Sequence, residues 1–223
     1  MNIDNFDWGP TSEWFKIQAT NEIFKVKEGQ TFNDYQRIFQ VEEDDIVVDI
    51  GASVGEFIYS ILERKPKHCY VVEPLGIFFD TLKKNLYGHP VSFTNAAITS
   101  DKFLSIVWDG HCDKTNTLTF KEFIDQNRLF KIDFLKIDCE GGEYDVFNEN
   151  NLEFLLKTPK IAIEMHLGSR IQKEMFRNFR DNILEKFSKY TFQSVDGVSI
   201  DWDLWNDHFI DYYREVMLYI DNR

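Results

Sequence analysis

Across 223 residues the chain carries 38 Asp and Glu against 25 Lys and Arg, a formal charge of −13, with 43% hydrophobic and 16% aromatic residues. That composition excludes a disordered segment and suits one sizeable core, while the negative charge disfavours nucleic acid and anionic membrane surfaces as partners. No run approaches the roughly 18 apolar residues of a membrane span, the polar start Met1-Asn2-Ile3-Asp4 lacks a secretory pattern, and three cysteines without metal-ligand spacing point to reduced thiols in a cytoplasmic compartment.

The first 40 residues hold Trp8, Trp14, Phe15, Phe24, Phe32 and Tyr35 without a strand period, and are expected to form a cap over a ligand cleft or a segment flanking the sheet. From residue 41 to the end we expect a Rossmann-like core, giving one domain over 1–223. Its first strand, 46–50, runs into Gly51-Ala52-Ser53-Val54-Gly55 and then a helical pattern at Val54, Phe57, Ile58, Ile61 and Leu62. A glycine turn of this kind lets main chain approach a nucleotide-like ligand. No Lys-Ser/Thr pair follows the second glycine, which argues against a triphosphate cradle. Carboxylates at Asp49 and Glu56 would repel a pyrophosphate and attract a cation. S-adenosylmethionine, with a sulfonium, an ammonium and no phosphate, suits the turn.

The basic cluster Arg64-Lys65-Pro66-Lys67-His68 reads as a solvated helix end. A second strand, 69–73, ends in Glu73-Pro74, with Glu73 18 residues beyond Gly55, near the roughly 20-residue spacing at which an acid reaches ribose hydroxyls. Leu75 to Tyr87 reads as a helix, 91–95 as a strand, and 96–108 as a short hairpin turning at Thr99-Ser100-Asp101-Lys102. Further strands follow at 133–138, 160–165, 190–194 and 216–221. Alternation with helices predicts an open, doubly wound, mostly parallel α/β sheet, and Gly197 with the acidic, aromatic stretch from Asp201 to Trp205 suggests an antiparallel finish.

In such a sheet ligands bind beyond the carboxyl ends of the strands. Two neighbouring ends supply Asp138 and Glu140, then Glu164 and His166. Four ionisable groups there are electrostatically costly unless they share protons or bind a cation.

The runs Val47-Val48-Asp49-Ile50-Gly51-Ala52-Ser53-Val54-Gly55, Val72-Glu73-Pro74, Asn95-Ala96-Ala97-Ile98 and Phe134-Leu135-Lys136-Ile137-Asp138-Cys139-Glu140-Gly141-Gly142-Glu143 together resemble the FkbM family of S-adenosylmethionine-dependent methyltransferases, over about residues 36–167. Ser53 stands where that family often has Asn, and Gly142 where it often has Ala. The resemblance implies a class I methyltransferase sheet of seven strands with the last antiparallel, and in many members methyl transfer to oxygen. The expected cofactor set is Asp49, Gly51, Ala52, Ser53, Gly55, Glu73, Pro74, Asn95, Ala96 and Asp138. Adenine is expected by Asn95 and Ala96. For catalysis we expect His166 as general base, oriented by Asp138, Glu140 or Glu164. A divalent ion on Asp138, Glu140 and His166 ranks second, because two carboxylates from one strand need special geometry to share an ion. The acceptor is expected to be a sugar, a glycan or a small hydroxylated metabolite. An NAD-dependent oxidoreductase and a non-catalytic binding module are the rival readings. The first is disfavoured because the turn lacks three-glycine spacing.

Overall fold

The computed structural model describes residues 5–21, 33–102, 104–108 and 111–223. Seven strands form the main sheet: β1 (Ile46–Ile50), β2 (His68–Val72), β3 (Val91–Thr94), β8 (Phe134–Ile137), β9 (Lys160–His166), β10 (Tyr190–Gln193) and β11 (Glu215–Asp221). Their order is β10-β11-β9-β8-β1-β2-β3. Every pairing is parallel except those of β11, which runs antiparallel to both β9 and β10. The expected mostly parallel sheet with an antiparallel last strand is therefore present.

Burial on both faces explains why the central strands are continuous apolar runs rather than alternating ones. Val47 and Phe134 face one core cluster, whereas Val48, Ile50, Leu135 and Ile137 face the other. Between strands lie α2 (Glu56–Ile61), α3 (Gly76–Asn85), α4 (Phe120–Gln126), α5 (Glu143–Val146), α6 (Glu149–Leu156) and α7 (Arg170–Asn182). Phe57 of α2 stacks on Phe134 at 5.8 Å, and Phe39 meets the same ring edge-on at 5.6 Å. Each buried aromatic of this kind contributes roughly 1.5–3 kcal/mol. Chain order reverses at β1, whose neighbours are β2 and β8, so a crevice opens beyond their carboxyl ends.

Phe6, Trp8 and Phe15, the last on α1 (Glu13–Ala19), pack with Val54, Leu75 and Phe78 above α2 and α3, while Tyr35 and Phe39 enter the core cluster around Phe57. Phe24 and Phe32 lie outside the described residues.

The expected hairpin over 96–108 is not formed. β4 (Ala97–Ile98) pairs in parallel with β7 (Thr117–Leu118), and β5 (Leu104–Trp108) pairs with β6 (His111–Thr115), Trp108 opposite His111. Thr99 and Ser100 are diverted to α5: the Thr99 hydroxyl donates to Asp145 Oδ2 at 2.6 Å, and the Ser100 hydroxyl lies 3.3 Å from Asp145 Oδ1. Residues 109 and 110, between β5 and β6, lie outside the described residues. Between β10 and β11, two short helices, α8 (Asp201–Leu204) and α9 (Asp207–Ile210), occupy the acidic, aromatic stretch. No helix among the described residues is long and apolar enough to cross a membrane.

Candidate active site

A cavity of about 670 Å³ occupies the crevice. At one end is the glycine turn. Gly51 has φ of +83°, and a Cβ there would lie 1.6 Å from the Asp138 carbonyl oxygen, so only glycine lets the β1 turn and the end of β8 meet. The Gly51 and Ala52 amides both donate to Val72 O at 3.0 Å. Glu73 then ties two loops together: its Oε2 accepts from the Ser53 amide and its Oε1 from the Leu75 amide, each at 2.8 Å. Burial pushes the Glu73 carboxyl up to about 8 against those two bonds.

Beneath the turn, Lys136 of β8 is a buried cation. Its ammonium donates to Gly51 O at 2.7 Å, lies 3.0 Å from Asp49 Oδ1 and 3.6 Å from Asp138 Oδ2, and sits 5.1 Å from the centre of the Tyr35 ring. Burial alone would lower its pKa, but Asp49, Asp138 and Glu56 more than offset this and hold it above the ordinary lysine range. Burial raises Asp49 to about 6, with Lys136 opposing.

Of the residues expected at the cofactor, Gly51, Ser53, Glu73, Pro74, Ala96 and Asp138 line the cavity. Asp49, Ala52, Gly55 and Asn95 do not. Asp49 is fully buried against Lys136. Gly55, φ +91°, is the residue before α2. The Asn95 side-chain amide donates to Glu73 O at 2.8 Å and Pro74 O at 3.1 Å, so it braces the loop behind the cavity. Glu56 joins the lining, almost wholly buried, with burial pushing it up to about 8.

The other end gathers the carboxylates. Asp138 and Glu140 line the cavity; Glu164 and His166 stand behind them. β8 stops at Ile137, before both acids, and Glu140 adopts φ of +56°, which turns the chain beyond Asp138. His166 Nε2 lies 3.3 Å from Glu140 Oε2 and 3.8 Å from Glu164 Oε1. Its Nδ1 is 3.2 Å from Oε1 of the fully buried Glu143, which also accepts the His166 amide at 2.7 Å. Burial opposes charge on this ring, but the Glu140 and Glu143 hydrogen bonds dominate and push it up to about 12. A general base must be neutral to accept a proton, so these surroundings oppose the base role expected for His166.

Three contributors escaped the sequence reading. Tyr35 donates its hydroxyl to Asp138 Oδ2 at 2.8 Å and lies 3.2 Å from Glu164 Oε2, bridging both strand ends from 103 residues away; nothing local marks it. Glu143 closes the quoted signature but reads equally as a helix first-turn acid. The first turn of α7 supplies Ser169, Ile171 and Gln172 to the cavity. Ser169 and Gln172 form a capping box, a signature legible in Ser169-Arg170-Ile171-Gln172.

The methyltransferase FkbM domain family matches residues 49–194, a span containing the turn, Glu73, Lys136 and the carboxylate cluster. A hexuronic acid methyltransferase, AglP, of Haloferax volcanii is 22% identical over 172 residues, covering 69% of this chain and 70% of the relative. Among solved structures, a complex between the Haloferax volcanii Trm112 methyltransferase activator and a methyltransferase superposes with a TM-score of 0.51 at 11% identity, covering 93% of this chain and 95% of that one; this likeness concerns the fold. With the family matched over more than half its length, the chain belongs to the FkbM methyltransferase family and is an S-adenosylmethionine-dependent methyltransferase.

Proposed function

We propose that the protein transfers a methyl group to a hydroxyl oxygen of a neutral sugar, glycan or small polyol. The carrying observation is the polarity of the cavity. Among the described residues, its lining includes six Asp and Glu side chains and no Lys, Arg or His.

The glycine-turn end fits the cofactor. Ser53 Oγ and Glu56 Oε2 are buried there without hydrogen-bond partners, and an unmet buried acceptor is costly unless a ligand completes it. S-adenosylmethionine, when bound, supplies an electrophilic methyl on sulfur. Glu56 and Ser53 would take its ammonium, the Gly51 to Gly55 turn would underlie the methionine part, and the remaining lone pairs of Glu73 would accept from ribose hydroxyls. Pro74 and Ala96 would border the adenine, with Asn95 bracing their loop.

At the opposite end, the chain's task is to position an acceptor hydroxyl and take its proton. Asp138 and Glu140 face the cavity and are the proton acceptors we assign. His166 and Glu164 act behind them as positioning residues, His166 through Glu140 and Glu164 through Tyr35. The relative's printed name gives it a hexuronic acid, which supports a sugar acceptor here. With no ion bound between them, a hexuronate would bring its carboxylate against Asp138 and Glu140, whereas a neutral hydroxyl meets no repulsion. The test is labelled S-adenosylmethionine offered with matched neutral glycosides and hexuronic acids. Label appearing as a base-stable methyl ether on the neutral member, favoured at least about tenfold, supports the reading. Label on the uronate as a base-labile methyl ester sinks it.

A further inference from the structure

We propose that Asp138, Glu140 and His166 form a divalent-cation site at the acceptor end of the cavity. One donor atom from each lies within 4.8 Å of the others. Three ligands about 2.1–2.4 Å from a shared ion fall within that mutual separation.

The local backbone supplies the geometry that two carboxylates of one strand lack. β8 ends before Asp138, and the left-handed turn at Glu140 lets both acids converge with His166 from the neighbouring strand. The ring is also prepared as a metal ligand is. It is nine-tenths buried, and the fully buried Glu143 holds its Nδ1 edge, the carboxylate support that fixes an imidazole ligand's tautomer and leaves Nε2 to the ion. His166 Nε2 and Glu140 Oε2 lie 3.3 Å apart, so the two donor atoms already converge on one point. Tyr35 holds one oxygen of Asp138, orienting the second acid in the same way. Lys136, the nearby ammonium, is already engaged by Asp49 and Gly51 O.

Two carboxylates and one imidazole suit manganous, ferrous, zinc or magnesium ions, with coordination positions left for ligand oxygens. In the cavity these positions face the acceptor space, where adjacent hydroxyls of a polyol would chelate and the carboxylate oxygens not bound to the ion would take the proton. That use rests on the methyl-transfer reading above; the ion site itself does not.

The experiment titrates chelator-stripped full-length protein with manganous ion, read by electron paramagnetic resonance of the free ion and by calorimetry, with and without S-adenosylhomocysteine. We expect one equivalent bound, at least tenfold weaker binding in Glu140→Gln and Asp138→Asn, and wild-type binding in Asp101→Asn, a cavity carboxylate outside the trio. Thermal melts with S-adenosylhomocysteine report whether each variant is folded. Wild-type protein that retains no manganese while still binding S-adenosylhomocysteine overturns the ion site and leaves the methyltransferase reading intact. Manganese binding unchanged in both ligand variants overturns it equally.

Discussion

Glu56→Gln isolates the electrostatics of the cofactor end. In the unliganded protein the Glu56 carboxyl is 5% exposed and its pKa rises from 4.5 to about 8, chiefly through burial. For a carboxyl whose folded pKa lies above its unfolded one, the unfolded chain loses its proton first, so stability falls as pH climbs from about 4.5 toward 8. Each pH unit in that window costs about 1.4 kcal/mol. Between pH 5 and 7.5 the wild type should therefore lose about 3 kcal/mol through this group, and the glutamine variant should not. For a chain of this size that is roughly 6–12 °C in melting temperature relative to the wild type. Ligand reverses the comparison. An ammonium beside Glu56 makes its charge favourable, and removing a charged hydrogen bond costs about 1.5–3 kcal/mol, so the variant should bind S-adenosylmethionine roughly 10- to 100-fold more weakly at pH 7.5. Melts at both pH values, with calorimetry alongside, measure each effect. Parallel melting curves for the two proteins at pH 5 and 7.5, together with equal affinities, would refute the reasoning.

Other outcomes follow from the same contacts. Lys136→Met strands the fully buried Asp49 and removes the bond to Gly51 O, so urea denaturation should show a loss of about 3–5 kcal/mol; a loss under 1 kcal/mol would contradict the pairing. Gly51→Ala places a methyl 1.6 Å from Asp138 O, and calorimetry should detect no S-adenosylhomocysteine binding at concentrations that saturate the wild type. Tyr35→Phe keeps the ring packing but removes the hydroxyl that joins Asp138 to Glu164, so kcat should drop about tenfold with the affinity for S-adenosylhomocysteine unchanged. A fall in affinity instead would assign Tyr35 a role in holding the cofactor end.

The strands were legible because burial on both faces leaves an unmistakable apolar run, as in Ile46 to Ile50, and the glycine turn because Gly51 is the residue that close approach to β8 demands. Position along a strand also revealed that Asp138, Glu140, Glu164 and His166 would share one edge of the sheet. Their relations were not legible. The charge on His166 depends on Glu143, which belongs to a helix, and the orientation of Asp138 depends on Tyr35, contributed by a segment without periodicity. The turn at Thr99-Ser100 was misread since both hydroxyls serve Asp145, a partner 46 and 45 residues away. Local propensity reports the conformations a segment can adopt, whereas these partners are chosen by the sheet order.

Gly51 and Asp138 touch back to back, main chain against main chain, with one ammonium fastening both. The turn after β1 and the end of β8 are consequently surveyed from a common benchmark. A change in the outer wall, where Ser169, Ile171 and Gln172 meet the cavity, therefore leaves the spacing of these two segments untouched.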